Sequence, residues 1–183
     1  MLSHETLVRW MRCAIFAAIL CICSRITVPV GTIPFSMAIF AVMLCAVVLD
    51  WTSGMIAVGV YLALGLFLPI FHGGAAGITA YPGPTGGFLW SFLLMIPVIC
   101  GVRSLGANGF VWDCCASFLG CVLGIALCYC CGAAQYSIYA GVSFSRALGV
   151  CALPFILPDL IKAAAATLLG VTLRRKLAML NLG

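Results

Sequence analysis

Ionisable side chains are nearly missing from this chain. Only 7% of its 183 residues are Asp, Glu, Lys or Arg, and four of them are acidic. A water-soluble domain carries roughly a quarter charged residues, so a soluble globular fold is excluded. No hydrophilic stretch is long enough to form a separate soluble domain. The Gly-Lys-Ser/Thr ending of a phosphate-binding loop is absent, so any use of ATP requires a partner chain. The two histidines, His4 and His72, have no metal-ligand companion at usable spacing. No metal and no cofactor is expected.

What fills the chain is apolar: 65% of the residues are hydrophobic, in runs that approach the roughly 20 needed to cross a bilayer. The expected fold is an all-α integral membrane bundle, one domain over residues 1–183. The net charge of +5 forms no basic face, which excludes nucleic acid as a partner. The twelve cysteines lie almost entirely inside apolar runs and read as small, polarizable packing residues rather than a disulfide or metal framework.

Six spanning helices are expected: Leu7–Ser24, Ser36–Leu49, Gly54–Leu68, Phe88–Val102 with Pro97 inside, Phe110–Cys131, and Pro158–Arg174. Arg25 closes the first run without an Ala-x-Ala-like cleavage site, so that run is read as a retained helix. Pro29, Gly31 and Pro34 oppose helix in the first connector, and Asp50 to Ser53 stop the second helix. Ser143-Phe144-Ser145-Arg146-Ala147-Leu148 reads as a short amphipathic helix at the outer interface, capped by Ser143, before helix six. Arg9, Arg12, Arg103, Arg174, Arg175 and Lys176 fall on one side of such a bundle, against Arg25 and Arg146 on the other. The excess places both termini in the cytoplasm. The Ile70–Gly87 loop and the start of helix six then share the outer side. Asp50 and Asp113 flank cytoplasmic helix ends, where an aqueous or headgroup setting suffices.

Two charges break the apolar pattern. Asp159 and Lys162 follow Leu153-Pro154-Phe155-Ile156-Leu157-Pro158 and precede a run of alanines. An ionised group at mid-bilayer costs about 2.5–3.5 kcal/mol on insertion scales, so such residues face a partner, a cavity or a ligand. Three apart on a helix, they share a face. One reading is a self-satisfied ion pair locking helix six to the bundle; the other is a ligand grip offering an acceptor and a cation. Tyr81-Pro82-Gly83-Pro84-Thr85-Gly86-Gly87-Phe88 is the second signal, because glycines permit close backbone approach and prolines hold a loop's shape. Third, Ala14 and Ala18 set two small residues on one face of helix one, a spacing that lets helices approach closely in lipid.

The loop segment Gly83-Pro84-Thr85-Gly86-Gly87-Phe88-Leu89 closely resembles the Gly-Pro-Thr-Gly-Gly-Tyr-Leu signature of BioY proteins, the biotin-binding S components of energy-coupling factor (ECF) transporters. Pro154-Phe155-Ile156-Leu157-Pro158-Asp159-Leu160-Ile161-Lys162 resembles the family's Pro-Phe-x-Pro-Gly-Asp-Leu-x-Lys. Ile26 to Phe35 and Leu64 to Phe71 are similar to its first outer loop and its Leu-Gly-Leu-x-Leu-Pro-Val-Phe segment. Phe88 stands where tyrosine is usual, Leu157-Pro158 where Pro-Gly is usual, and Ser91 where glycine is frequent.

The resemblance implies a six-helix subunit of a bacterial-type cytoplasmic (inner) membrane that captures biotin from outside. Its partners would be a transmembrane coupling subunit and two ATPase subunits, and it would not be an enzyme itself. Asp159 and Lys162 fall at the ligand site, with Tyr81, Pro84, Thr85, Gly86, Gly87 and Phe88 of the glycine-rich loop against the ligand. Phe35, Tyr81, Phe88 and Trp90 are the candidate apolar walls. Asp159 suits a ureido N–H of biotin; Lys162 suits either the ureido oxygen or the carboxylate. Ala14 and Ala18 match a family pattern that docks the coupling subunit. An S component for another vitamin, an intramembrane acid–base enzyme and a structural membrane subunit are the rival readings.

Overall fold

The computed structural model describes residues 4–28, 35–71, 80–106 and 109–180. His72, Pro29, Gly31, Pro34 and the turn residue Asn108 lie outside the described residues. Among the described residues seven α-helices follow one another: α1 (His4–Arg25), α2 (Ala38–Val48), α3 (Trp51–Phe67), α4 (Gly86–Arg103), α5 (Phe110–Ala140), α6 (Phe144–Cys151) and α7 (Ile156–Leu180). Two short strands, β1 (Thr27–Val28) and β2 (Phe35–Ser36), pair antiparallel between α1 and α2, with Val28 opposite Phe35.

Among the described residues four helices, His4–Arg25, Gly86–Gly106 (α4 with its closing turn), Phe110–Ala140 and Ile156–Met179, are long and apolar enough to cross a membrane. The chain is an integral membrane protein. Ala38–Val48 and Trp51–Phe67 are apolar but shorter. At 1.5 Å per residue, α2 spans only about 16 Å, well under the hydrocarbon core. Its composition shows where it belongs: Ala41, Val42, Met43, Cys45, Ala46 and Val47 are all fully enclosed, and a helix apolar all round is a buried one. It packs against α1, α3, α4, α5 and α7 and forms the axis of the bundle. Outward-facing positions such as Ile15, Ile22, Leu94, Ile161 and Leu168 stay apolar and exposed, as a lipid-facing surface requires.

Two boundaries differ from expectation for identifiable reasons. Asp50 does more than stop α2. It is the N-cap of α3, its carboxylate accepting from the Ser53 backbone N–H at 3.0 Å and the Ser53 hydroxyl at 2.7 Å, so α3 begins at Trp51. Helix α5 runs on past Cys131 to Ala140. Gly132 is no stop signal: a Cβ there would lie 2.3 Å from Cζ of Phe88, so the glycine lets that ring rest on the helix. Ser143 does sit at the N-cap of α6 with extended backbone, but its hydroxyl makes no capping bond and lies 3.4 Å from the Ser145 hydroxyl.

Charges at one end tie the helices together. Arg103 donates to the carbonyls of Ala46, Val47 and Leu49, at 2.6, 2.7 and 2.8 Å, satisfying the otherwise orphaned end of α2. Arg174 of α7 reaches the Val47 carbonyl as well, at 3.1 Å. Asp113, expected in an aqueous or headgroup setting, is instead buried between α5 and α7, paired with Arg174 and, at 3.3 Å, with Arg175. His4, Arg9, Asp50 and Arg174 border one cavity, so the beginning of α1 and the end of α7 share an end of the molecule.

Burial alone would raise the Asp50 carboxyl, but hydrogen bonds from Thr52 and Ser53 and the Arg9 guanidinium outweigh it and hold the pKa at about 2. A depressed carboxylate stabilises the fold above its usual 3.8 and loses that contribution as pH falls through about 2. Asp50→Ala is therefore expected to lose about 1 kcal/mol of stability near neutral pH. Thermal melts should show the gap to wild type unchanged down to about pH 5 and narrowing below about pH 4.

Candidate ligand-binding site

The first turns of α7 carry Asp159 and Lys162, 2% and 6% exposed. The positive end of the helix dipole favours the carboxylate there. Lys162 Nζ donates to Asp159 Oδ1 at 2.8 Å and to the Ser36 carbonyl at 2.7 Å, and lies 3.5 Å from the centre of the Phe35 ring. Tyr129 of α5 donates its hydroxyl to Asp159 Oδ2 at 2.6 Å. All three ammonium hydrogens thus have a neighbour, and both carboxylate oxygens accept from the protein. Such matching is what a buried pair needs to offset its desolvation.

The pair is not sealed into the helix packing. It borders a cavity of about 70 Å3 whose wall includes Phe35 and Ser36 of β2. Phe35, Thr85 and Phe88 line that cavity with Asp159 and Lys162, so five of the expected ligand-site residues converge on one space. Phe35 also stacks on Phe155, centroids 6.2 Å apart, and Phe92 and Ile39 add further apolar wall. The remaining expected residues stand back from it. The Tyr81 hydroxyl donates to the Leu62 carbonyl at 2.6 Å, and its ring packs between Phe71 and Trp90. Trp90 itself is 52% exposed on the outer face of α4. Pro84 is half-buried in the loop, and Gly86 and Gly87 are buried against α5.

The glycine-rich loop is therefore shaped by packing. Gln135, on the extended part of α5, donates to the carbonyls of Tyr81 and Gly83 at 2.6 and 2.8 Å. A Cβ on Gly86 would fall 1.7 Å from the Tyr81 carbonyl oxygen, and one on Gly87 2.4 Å from the Cys131 carbonyl oxygen. Only glycine lets the start of α4 press so closely on its neighbours. The result sets Thr85 and Phe88 at the cavity wall.

Four polar residues of this region escape the sequence reading: Ser24, Tyr61, Tyr129 and Gln135. A signal existed for Tyr129, because a buried tyrosine hydroxyl in an apolar helix needs a partner. It lies among Cys128, Cys130 and Cys131, which draw attention to metal chemistry. Among the described residues, no group of three or more His, Cys, Asp or Glu is placed to hold a metal ion.

The arrangement defines a class first: a helical membrane protein with a small, largely apolar chamber that has a buried charge pair in its wall. The fold matches a crystal structure of the S-component for biotin from an ECF-type ABC transporter, with TM-score 0.85, 24% identity and coverage of 96% of this chain and 95% of that one. Residues 2–179 match the family model for BioY, and the chain belongs to the BioY family. It is 34% identical to biotin transporter BioY2 of Lactococcus lactis over 169 residues, covering 92% of this chain and 91% of that protein. It is 32% identical to biotin transporter BioY of Thermotoga maritima, over 90% and 95% of the two chains.

Proposed function

We propose that this protein captures biotin as the substrate-binding S component of an ECF importer. The observation that carries the reading is the single cavity at which the Asp159–Lys162 pair meets Thr85 and Phe88 of the family signature. Asp159 accepts a ureido N–H, and the apolar rings hold the bicycle. Six helices cross the membrane, α2 and α3 being short because their neighbours shield them, and α6 lies along the outer interface. The arginine-rich end faces the cytoplasm with both termini, so the cavity opens outward.

The chamber is under half the size of an engineered cavity of about 150 Å3 that accommodates benzene. Biotin is larger than benzene, so its walls must part to admit it. Isothermal titration of detergent-purified protein with biotin, with thiamine and riboflavin as competitors, tests the reading. Saturable heat unaffected by the two competitors is expected; no saturable binding sinks it.

On α1, Cys13, Phe16, Ala17 and Leu20 face inward, whereas Ala14 and Ala18 are exposed. That supports a docking role for the small pair toward the transmembrane coupling subunit, whose two ATPase partners supply the energy. Ala14→Trp and Ala18→Trp are expected to leave biotin binding within about twofold while reducing co-purification with the coupling subunit and abolishing uptake. Unaltered assembly in both would remove this face from consideration.

A further inference from the structure

The chamber has a second polar feature that the ion pair does not use. Ser24, at the end of α1, and Tyr61, in the middle of α3, approach with their hydroxyl oxygens 2.8 Å apart. They are 2% and 0% exposed, and both line the same cavity as Asp159 and Lys162. Two hydroxyls own two protons, and the bond that joins them uses one. Among the described residues no other hydrogen bond engages either oxygen. Alanine and phenylalanine would fill the same space without taking two hydroxyls out of water, so packing does not account for the pair.

The ammonium and the Tyr129 hydroxyl of the chamber are already engaged. Lys162 directs its hydrogens to Asp159, to the Ser36 carbonyl and to the face of Phe35, and Tyr129 donates to Asp159. Asp159 offers only acceptors. The spare O–H of Ser24 and Tyr61 is therefore a buried donor within reach of a ligand oxygen entering the chamber.

We propose that the Ser24–Tyr61 pair is a second recognition subsite, donating its spare O–H to an acceptor oxygen of the ligand while Asp159 accepts from a ligand N–H. The subsite rests on the reading of the cavity as the biotin site. Its chemistry is that of a carbonyl or carboxylate oxygen, and biotin carries one of each. The two hydroxyls work as a unit, since either one can donate to the other, which leaves the accepting hydroxyl's own O–H free to donate to the ligand.

The test measures affinities of wild type, Tyr61→Phe, Ser24→Ala and the double variant for three ligands. These are biotin, an analogue ending in methyl in place of the carboxylate, and thiobiotin, in which sulfur replaces the ureido oxygen. Tyr61→Phe and Ser24→Ala are each expected to weaken biotin about five- to tenfold, the range of one neutral hydrogen bond. The double variant should lose no more than about twofold beyond the worse single one, because one unit is being removed. For the analogue lacking the engaged oxygen, the Tyr61→Phe loss should shrink below about twofold, which identifies that oxygen. Binding of biotin unchanged in both single variants overturns the proposal, as does an equal loss for all three ligands, the mark of a merely structural role. Wild type that fails to bind biotin overturns the biotin reading itself, an outcome distinct from wild-type binding that the variants leave untouched.

Discussion

Lys162→Ala should both unfold the protein more readily and abolish biotin binding. The ammonium sits in a setting of 7% side-chain exposure and neutralises a carboxylate of 3%. Its removal leaves Asp159 charged, buried and supported by Tyr129 alone. Breaking a buried pair by deleting one partner destabilises by about 3–5 kcal/mol, which a thermal melt in detergent reads directly. Asp159→Asn is the gentler companion. It keeps the shape and one carbonyl acceptor for Tyr129, but leaves the ammonium without its counter-ion and weakens the acceptor offered to a ureido N–H. Affinity should fall about tenfold or more, equivalent to about 1.4 kcal/mol, while the protein still inserts and purifies. Calorimetry that finds tight biotin binding in both variants would assign the pair to helix packing instead.

Gly86→Ala is expected to be nearly as damaging, although the residue does not line the chamber. The new methyl group would meet the Tyr81 carbonyl oxygen at 1.7 Å and Gln135 Nε2 at 2.4 Å. A backbone carbonyl cannot swing aside as a side chain can, so the loop must move and the Gln135 clamp must open. Overpacking of this kind costs about 1–3 kcal/mol, and it displaces Thr85 and Phe88 from the wall. Biotin affinity should drop about tenfold. Gly101→Ala is the control on the same helix: nothing lies within 4 Å of its Cβ, so it should be neutral or slightly stabilising. Equal behaviour of the two alanine variants in melts and titrations would show that the close approach at Gly86 has no consequence.

Much of this architecture is legible in one dimension because lipid imposes simple demands. Apolar runs, arginines at their ends and breakers between them reveal the helices, since an uncharged segment has nowhere else to go and a charged one cannot stay. The same cost singles out Asp159 and Lys162. Where local pattern misleads, a partner from elsewhere is responsible. Gly132 looks like an end to α5 until the Phe88 ring is seen resting on it. Asp113 looks solvated until Arg174 and Arg175 arrive from α7.

Composition and motif spacing were sufficient to establish a helical membrane protein with a charged pair and a signature loop worth examining, because both follow from transfer energies and backbone allowances that act residue by residue. Which side chains share the chamber is another matter. Ser24, Tyr61, Tyr129 and Asp159 come from four separate helices, and Tyr81 turns away although it neighbours the signature. No periodicity along the chain encodes those meetings, since they depend on how α1, α3, α5 and α7 pack around the short central α2.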